Sequence, residues 1–327
     1  MGAHMAREHE HGVDPEAAHA AQVRELAAAG VLRDPVWRAA FAAVPRHLFV
    51  PWFFTGRGAG HERLWGEDPD PARRARWLRG VYSDEPLATR LRDGELVSSS
   101  SQPSLMARML SALDVRDGHN VLEIGAGSGY NAALLCHRLG EGLVTTVDLD
   151  PDITESARTH LAELGYHPTV ITGDGARGAP ARAPFDRIIV TCSLSRIPHA
   201  WLGQCRPGAR ILAPLSTGLI ALRVNDADLA EGGFLHTPAY FVPLRGAGAA
   251  PGGLAGGIPY ELLDSERFQF MLLLTAGALH PREALDLWRR EGRPARERFG
   301  VTVTGGGQWS WLDDPQGPYV WPLGESG

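Results

Sequence analysis

The sequence predicts an α/β fold built on a mainly parallel, doubly wound sheet, and three observations predict it. The first is Val121 to Tyr130, VLEIGAGSGY, where a short apolar run ends at Glu123 and opens into Gly125, Gly127 and Gly129. NAALLCHRLG follows with helical spacing. Strand, tight glycine turn and helix form the first unit of a nucleotide-type fold, because glycine lets the backbone bend sharply and approach a ligand that a Cβ would exclude. The second is the apolar run Leu143 to Val147, which ends in Asp148, about 20 residues beyond the glycines, where a carboxylate for a ribose diol is expected. The third is the alternation of strand-like and helix-like segments through ARILAPL, which implies parallel strands joined by helices.

Taken in order, residues 1–14 are read as a tag remnant (MGAHM) and a polar tail in which His9 and His11 are frayed rather than metal-bound. Residues 15–96 form an N-terminal helical region with an extended loop. PEAAHAAQVRELAAAG has helical spacing and a glycine stop. A second helix runs from Pro35 to Val44 with Val36, Trp37, Ala40 and Phe41 on its apolar side, and Pro45 ends it. Residues 55–80 lack periodicity and are read as a long surface loop with a short Arg-rich helix at Pro71 to Leu78. Its Arg73, Arg74, Arg76 and Arg79 read as a solvated face before they read as contacts to an acidic substrate.

Residues 97–246 are the ligand-binding domain. A serine cluster with Gln102 and Pro103 runs into an amphipathic helix, with Ser101 or Ser104 as a possible cap. After the second strand come helix DPDITESARTHLAELG, strand HPTVITGDGARG, strand APFDRIIVTC, helix HAWLGQCRPG, strand ARILAPL and an antiparallel pair that ends in FVPLRG. GAGAAPGGLAGG, residues 246–257, reads as a linker. Residues 247–327 are an accessory region with an apolar run, a helix, a short strand and an aromatic tail.

Composition narrows the function. The formal net charge of −6 comes from 32 basic and 38 acidic side chains spread along 327 residues. That argues against non-specific nucleic-acid binding, which needs a concentrated basic face. No apolar run approaches the roughly 18 residues that span a bilayer, and no signal peptide opens the chain. Cys136, Cys192 and Cys205 have no metal-ligand spacing, and their odd number suits a reducing cytoplasm. No metal is expected, and the oligomeric state is not legible.

Ligands in such sheets bind beyond the carboxyl ends of the strands, which selects Gly125 to Tyr130, Asp148, Asp174 and Thr191 to Ser195. GxGxG spacing suits a dinucleotide or S-adenosylmethionine. Glu123, two positions before the first glycine, favours S-adenosylmethionine, and the absence of GxGxxG weighs against a nicotinamide oxidoreductase.

Several separated segments then resemble one family. VPRHLFVP, VYSDEPLATRLRDGELVSSSSQP, VLEIGAGSGY, VTTVDLD, TGDGARG, APFDRIIVTC, RPGARILAPL and FVPLRG resemble the protein-L-isoaspartate O-methyltransferases over Gln22 to Gly246. The resemblance implies a Rossmann-like class I S-adenosylmethionine methyltransferase with a seven-stranded sheet, N-terminal helices and a C-terminal extension. It implies that Ser101, with Ser99 and Ser100, supplies the active-site hydroxyls. It implies a cofactor site of Gln102, Glu123, Gly125, Ala126, Gly127, Gly129, Tyr130, Asp148, Leu149, Gly173, Asp174, Gly175 and Thr191. Within it, Glu123 and the glycines border the methionine end, Asp148 holds the ribose and Asp174 with Gly175 lies near the adenine.

The sequence departs from the family at Ser99 and Ser100, where a threonine and a branched apolar residue are usual. It departs again at Thr191 to Leu194, in the loop of residues 55–80 and after FVPL. In these departures it resembles the actinobacterial branch associated with graspetides and lanthipeptides, which methylates an aspartate in a ribosomally made peptide on the way to aspartimide or isoaspartate. The expected partner is a peptide or protein bearing aspartate or isoaspartate, and isoaspartyl repair is the alternative.

The chemistry asks little of the protein. A carboxylate with a pKa near 4 is ionised at pH 7, so no strong base is required. His119 therefore reads as a turn residue. A hydroxyl such as Ser101 can orient one carboxylate oxygen while the other attacks, and Arg90 or Arg92 can hold the rest of the peptide. Trp309, Trp311, Tyr319 and Trp321 are equally suited to a core or to a peptide platform.

Overall fold

The computed structural model describes residues 14–56, 60–244, 262 and 264–323. His9, His11 and the linker at 246–257 lie outside the described residues.

Two Asp-Pro starts set the N-terminal helices. Asp14 caps α1 (Pro15–Ala28) and Asp34 caps α2 (Pro35–Ala43), each carboxylate accepting the amide two residues on, at 3.0 and 2.8 Å. Trp37, Ala40 and Phe41 are buried, whereas Val36 is exposed.

Residues 55–80 carry the expected Arg-rich helix, but the stretch expected as a long loop also supplies a strand of a small sheet. β1 (Trp52–Thr55), β2 (Glu62–Trp65), β3 (Leu87–Arg92) and β4 (Glu95–Ser100) form a four-stranded sheet in the order β2-β1-β3-β4. α3 (Pro71–Val81) seals it with Trp77, Leu78 and Val81 against Phe53 and Leu64. The arginines of α3 lie on its solvated face, as expected, where Arg73 meets Glu62 and Asp68 at 2.6 and 2.8 Å and Arg76 meets Glu62 at 2.8 Å. The serine cluster is therefore the end of a strand in a β3–β4 hairpin. Gln102 is the cap position of α4 (Pro103–Leu113), and no side chain of its own closes the cap; Asp84 instead accepts the Ser104 amide at 2.8 Å.

The large sheet begins at β5 (Val121–Ile124) and continues through α5 (Tyr130–Leu139), β6 (Val144–Asp148), α6 (Pro151–Glu163), β7 (Thr169–Thr172), β8 (Phe185–Val190) and β9 (Cys205–Leu215). β10 (Gly218–Val224) and β11 (Leu229–Pro238) follow, then α7 (Glu266–Leu274), α8 (Pro281–Arg290), β12 (Phe299–Thr304), β13 (Gly307–Leu312) and β14 (Val320–Pro322). The spatial order is β14-β13-β12-β11-β10-β9-β8-β5-β6-β7. Parallel pairing joins β7 to β9, and every pair from β9 outward is antiparallel, so the sheet is mixed.

The expected seven strands are ten. β11 presents a free row of backbone groups, and the C-terminal region pairs with it through β12 and extends the sheet. The segment HAWLGQCRPG is a 3-10 turn (His199–Gln204) followed at once by β9, because Pro207 has no amide to continue a helical ladder.

Helices cover both faces, as predicted for a doubly wound sheet. α1, α2, α4 and α5 bury Leu26, Phe41, Leu110 and Leu134 on one side. Trp201, α7 and α8 cover the other side with Phe268, Phe270 and Trp288. Trp321 is buried and stacks on Tyr319 at 6.2 Å. β13 lies six strand spacings from β5, roughly 30 Å, so these aromatics pack the extension rather than the strand ends of the parallel half.

Candidate active site at the strand ends

The glycine turn is forced by its neighbours. Gly125 has φ +98°, and a Cβ there would stand 2.6 Å from Thr191 Oγ1, which donates to the Gly125 carbonyl at 2.7 Å. Gly127 has φ +51°, and its amide donates to Asp148 Oδ2 at 3.3 Å. A side chain at Gly127 would project toward the Ser99 carbonyl, 3.5 Å from the Cβ position. The serine strand therefore lies directly over the glycine turn.

Between them runs a cleft open to solvent. Ser99, Ser100, Ser101, Glu123, Gly125, Ala126, Gly127, Tyr130, Asp148, Leu149, Gly175 and Thr191 all line it. Four of the predicted cofactor residues do not. Gln102 turns to Asp84, to which its amide donates at 3.1 Å. Gly129 packs on Ala157 at the head of α5. Asp174 accepts the Ala176 amide at 2.9 Å and faces Arg177 at 3.9 Å, capping a 3-10 turn, and Gly173 precedes it outside the lining. The physical reason is local: short carboxylates at turn starts close on their own backbone amides.

Glu123 is fully buried. Asn131 Nδ2 donates to its Oε1 at 2.7 Å, while Oε2 has no hydrogen-bond partner. Burial pushes the carboxyl up to about 7, against lowering by the nearby Thr146 hydroxyl and the Asn131 amide. Thr146 Oγ1 is close enough to act on the charge, yet neither it nor Oε2 is in hydrogen-bonding geometry. An orphaned buried acceptor facing a cleft costs stability unless a ligand donor completes it.

Asp148 ends β6 and accepts the amides of Gly127 and Asp150, at 3.3 Å each. Beyond it, Arg92 meets Asp150 at 2.7 Å, and Arg90 meets Asp152 at 3.0 Å and Asp150 at 3.7 Å. The two arginines expected to hold a peptide are thus committed to α6, and they clasp the β3–β4 hairpin to the rim of the cleft.

Sequence reasoning missed Arg46. It arrives from VPRHLFVP on a 3-10 turn with no solvent exposure. Its Nε donates to Ser100 Oγ at 3.2 Å. Its Nη2 donates to the carbonyls of Glu85, Ser100 and Ser101 at 3.1, 3.2 and 3.0 Å. Its Nη1 reaches the carbonyls of Val81 and Ser83 at 2.9 and 3.2 Å. Burial lowers its pKa to about 10, so it stays charged at neutral pH. Asn131 and Val242 to Leu244 also line the cleft unpredicted, and Cys192 lines it from the expected segment Thr191 to Ser195. FVPL was the available signal for the last of these; Leu244 N donates to the Ser193 carbonyl at 2.9 Å and so brings the motif to the strand ends.

His119 accepts the Arg116 amide at 3.1 Å in a turn, in keeping with its predicted place. Among the described residues, no group of three His, Cys, Asp or Glu side chains is arranged to hold a metal, and no helix is long and apolar enough to cross a membrane.

A family model described as protein-L-isoaspartate(D-aspartate) O-methyltransferase matches residues 73–245. A protein-L-isoaspartate O-methyltransferase of Hyperthermus butylicus is 32% identical over 239 residues, covering 68% of this chain and 87% of that protein. One from an Anaeromyxobacter species is 35% identical over 238 residues, covering 72% and 86%. A solved structure described as a protein-L-isoaspartate O-methyltransferase superposes with a TM-score of 0.63 at 23% identity, covering 90% of this chain and 100% of that one. Residues 1–246 alone cannot supply that cover, so the similarity of fold reaches into the C-terminal region. A Plasmodium falciparum structure described as a putative protein of that name, in complex with S-adenosyl-L-homocysteine, gives a TM-score of 0.51 at 15% identity, covering 69% and 98%.

Proposed function

The chain belongs to the protein-L-isoaspartate O-methyltransferase family, and we propose that it methylates the side-chain carboxylate of L-isoaspartyl residues in proteins or peptides. The enzyme is an S-adenosylmethionine-dependent carboxyl methyltransferase. The observation that carries the acceptor reading is the meeting of two surfaces in one cleft, a glycine turn on one side and a strand end bearing Ser99, Ser100 and Ser101 on the other.

The residues present fit the cofactor. Glu123 Oε2 is a buried acceptor without a donor, the glycine turn is a cradle that side chains would fill, and Asp148 stands at the strand end where a diol is held. In this reading Glu123 faces the positively charged methionine end, and Asp148 takes the ribose. When bound, S-adenosylmethionine supplies a methyl group on a sulfonium, and a carboxylate oxygen forms the new C–O bond as the S–CH₃ bond breaks. Ser101 donates to the non-attacking oxygen and fixes the line of approach. Arg46, below the loop, holds the Ser100 and Ser101 carbonyls and the Ser100 hydroxyl, and leaves the Ser101 side chain to face the cleft. The enclosing hairpin strips water from the carboxylate.

A dedicated, pre-modified peptide substrate, as in the graspetide- and lanthipeptide-associated branch, is the second reading. It rests on Ser99 and Ser100 standing where the family has a threonine and a branched apolar residue, which makes the mouth of the cleft more polar. The presence of the C-terminal region supports it less, given how far the fold of a solved family member extends along this chain.

Mass spectrometry decides between them. Two short peptides that differ only in aspartate against isoaspartate are incubated with S-adenosylmethionine. A gain of one methyl group on the isoaspartyl peptide alone supports repair. No product on either, with cofactor binding confirmed in parallel, discards it for the dedicated substrate.

A further inference from the structure

A second groove opens beside the cofactor cleft and is continuous with it, because Ser99 and Ser101 line both. One wall is a stripe that starts at Ser101 and runs up α4 through Leu105 and Arg108. The spacing i, i+3 places Leu105 and Arg108 on one side of α4, and Ser101 stands just before the helix begins. The opposite wall is made by Tyr240, from the segment after β11, and by Asp264 and Glu266 at the start of α7 in the C-terminal region.

Two features of this groove bear on what it can hold. Arg108 is exposed and has no carboxylate within ion-pair distance among the described residues. Tyr240 is 60% exposed, the highest value among the exposed large apolar side chains. Glu266 pairs with Arg296 at 2.9 Å and also acts on the Tyr240 hydroxyl, so the Tyr240 ring is what the groove offers a ligand. The groove thus pairs an uncommitted guanidinium on one side with an aromatic face on the other and leads directly to the candidate reaction site.

We propose that the acceptor polypeptide runs in this groove along α4, and that Arg108 selects substrates with a carboxylate two to four residues from the methylated one. The inference deepens the isoaspartyl reading and rests on it. The spacing follows from geometry. Arg108 lies five helical steps, about 7.5 Å, beyond the start of α4 at Pro103, and Ser101 lies two residues before that start, so the two are on the order of 10 Å apart, which an extended peptide covers in about three residues. The length of the arginine side chain widens the window by one residue each way. Tyr240 takes the neighbouring apolar side chains across the groove. The accessory region thereby gains a place in substrate choice, since α7 supplies part of the wall.

The test uses the full chain and a series of otherwise neutral isoaspartyl peptides. Each carries one Glu or one Lys two, three or four residues from the isoaspartate, on either side. KM is measured for the wild type and for Arg108→Glu, with the Kd for S-adenosylmethionine as a check on folding. At one or more positions Glu should give a KM about two- to fivefold below Lys, as expected for an exposed ion pair. Arg108→Glu should reverse that order at the same positions. Equal KM values throughout the wild-type series, or a shift in Arg108→Glu that is alike for Glu and Lys peptides, overturns the groove and leaves the isoaspartyl reading standing. Absence of turnover on every isoaspartyl peptide overturns both.

Discussion

Arg46 Nη2 donates to the Ser101 carbonyl at 3.0 Å from a side chain with no solvent exposure. The bond ties the candidate catalytic loop to the turn after α2 and, through Val81, Ser83 and Glu85, to the α3–β3 connection. Arg46→Ala leaves several buried carbonyls without donors, and a loss of about 3–5 kcal/mol is expected in urea unfolding. Arg46→Lys keeps the charge without the fork. It should fold, bind S-adenosylmethionine like the wild type and lose kcat, because the Ser101 loop loses its register. Wild-type kcat in that variant would reject the positioning role.

Ser101→Ala removes one donor and little volume. The expected cost is about 1–3 kcal/mol of transition-state stabilisation, a five- to 150-fold fall in kcat on an isoaspartyl peptide. The thermal midpoint should stay within a degree or so of the wild type, since the hydroxyl is half exposed and substitutions of that kind change stability little.

Glu123 gives the cleft a pH signature. Burial raises its carboxyl to about 7, above the ordinary carboxylate range. The folded chain thus holds a proton that the unfolded chain has released. This contribution to stability is complete below the unfolded pKa and is lost as pH rises through about 7. The ligand-free protein should lose part of its stability between pH 5 and pH 8, and Glu123→Gln should flatten that loss. Cofactor binding should run the other way, tightening as Glu123 ionises against a positively charged ligand. Calorimetric titration across pH 6–8 that shows the same Kd throughout would remove Glu123 from the binding site.

The Arg90/Arg92 clasp sits at the rim, with Arg92 more than half exposed. Burial raises the Asp150 carboxyl, but the Asp152 amide and Arg92 more than offset this and hold it below the usual range. The clasp is therefore intact above the unfolded aspartate pKa and weakens as pH falls. Arg92→Ala should cost no more than about 1 kcal/mol in stability. Its clearer effect should be faster release of S-adenosylhomocysteine, measured by stopped-flow fluorescence, with high salt imitating the substitution in the wild type.

Phe270 ties the accessory region to the strands that precede it. It stands edge-on to Phe234 of β11 at 4.8 Å and to Phe299 of β12 at 5.6 Å. Phe270→Ala should cost about 3–5 kcal/mol and lower the urea midpoint in a single transition. Two separated transitions would mean that the C-terminal region unfolds on its own.

What the sequence makes legible here is local. VLEIGAGSGY, the Asp148 strand end and the two Asp-Pro helix starts carry their geometry in neighbouring residues, and the structure places them as expected. The four-stranded sheet was hidden because β1 and β2 are four residues each, too short for alternation to register. Arg90 and Arg92 looked available because Asp150 and Asp152, their partners, lie some 60 positions downstream. The same distance in sequence concealed Arg46, whose carbonyl partners include Ser101, 55 residues away. Asp174 shows the opposite case, since its local turn already occupies one carboxylate oxygen through the Ala176 amide.

The pairing of β12 with β11 has a consequence for the solution behaviour of shortened forms. A chain that stopped before Phe299 would expose the backbone of β11 from Leu229 to Gly233 and remove the Phe299 ring from beside Phe270. An open, apolar strand edge recruits the same edge of another molecule, and the product is a precipitate rather than a smaller enzyme. The last three strands act as a built-in safeguard against self-association, and the full-length protein is the form to keep in the tube.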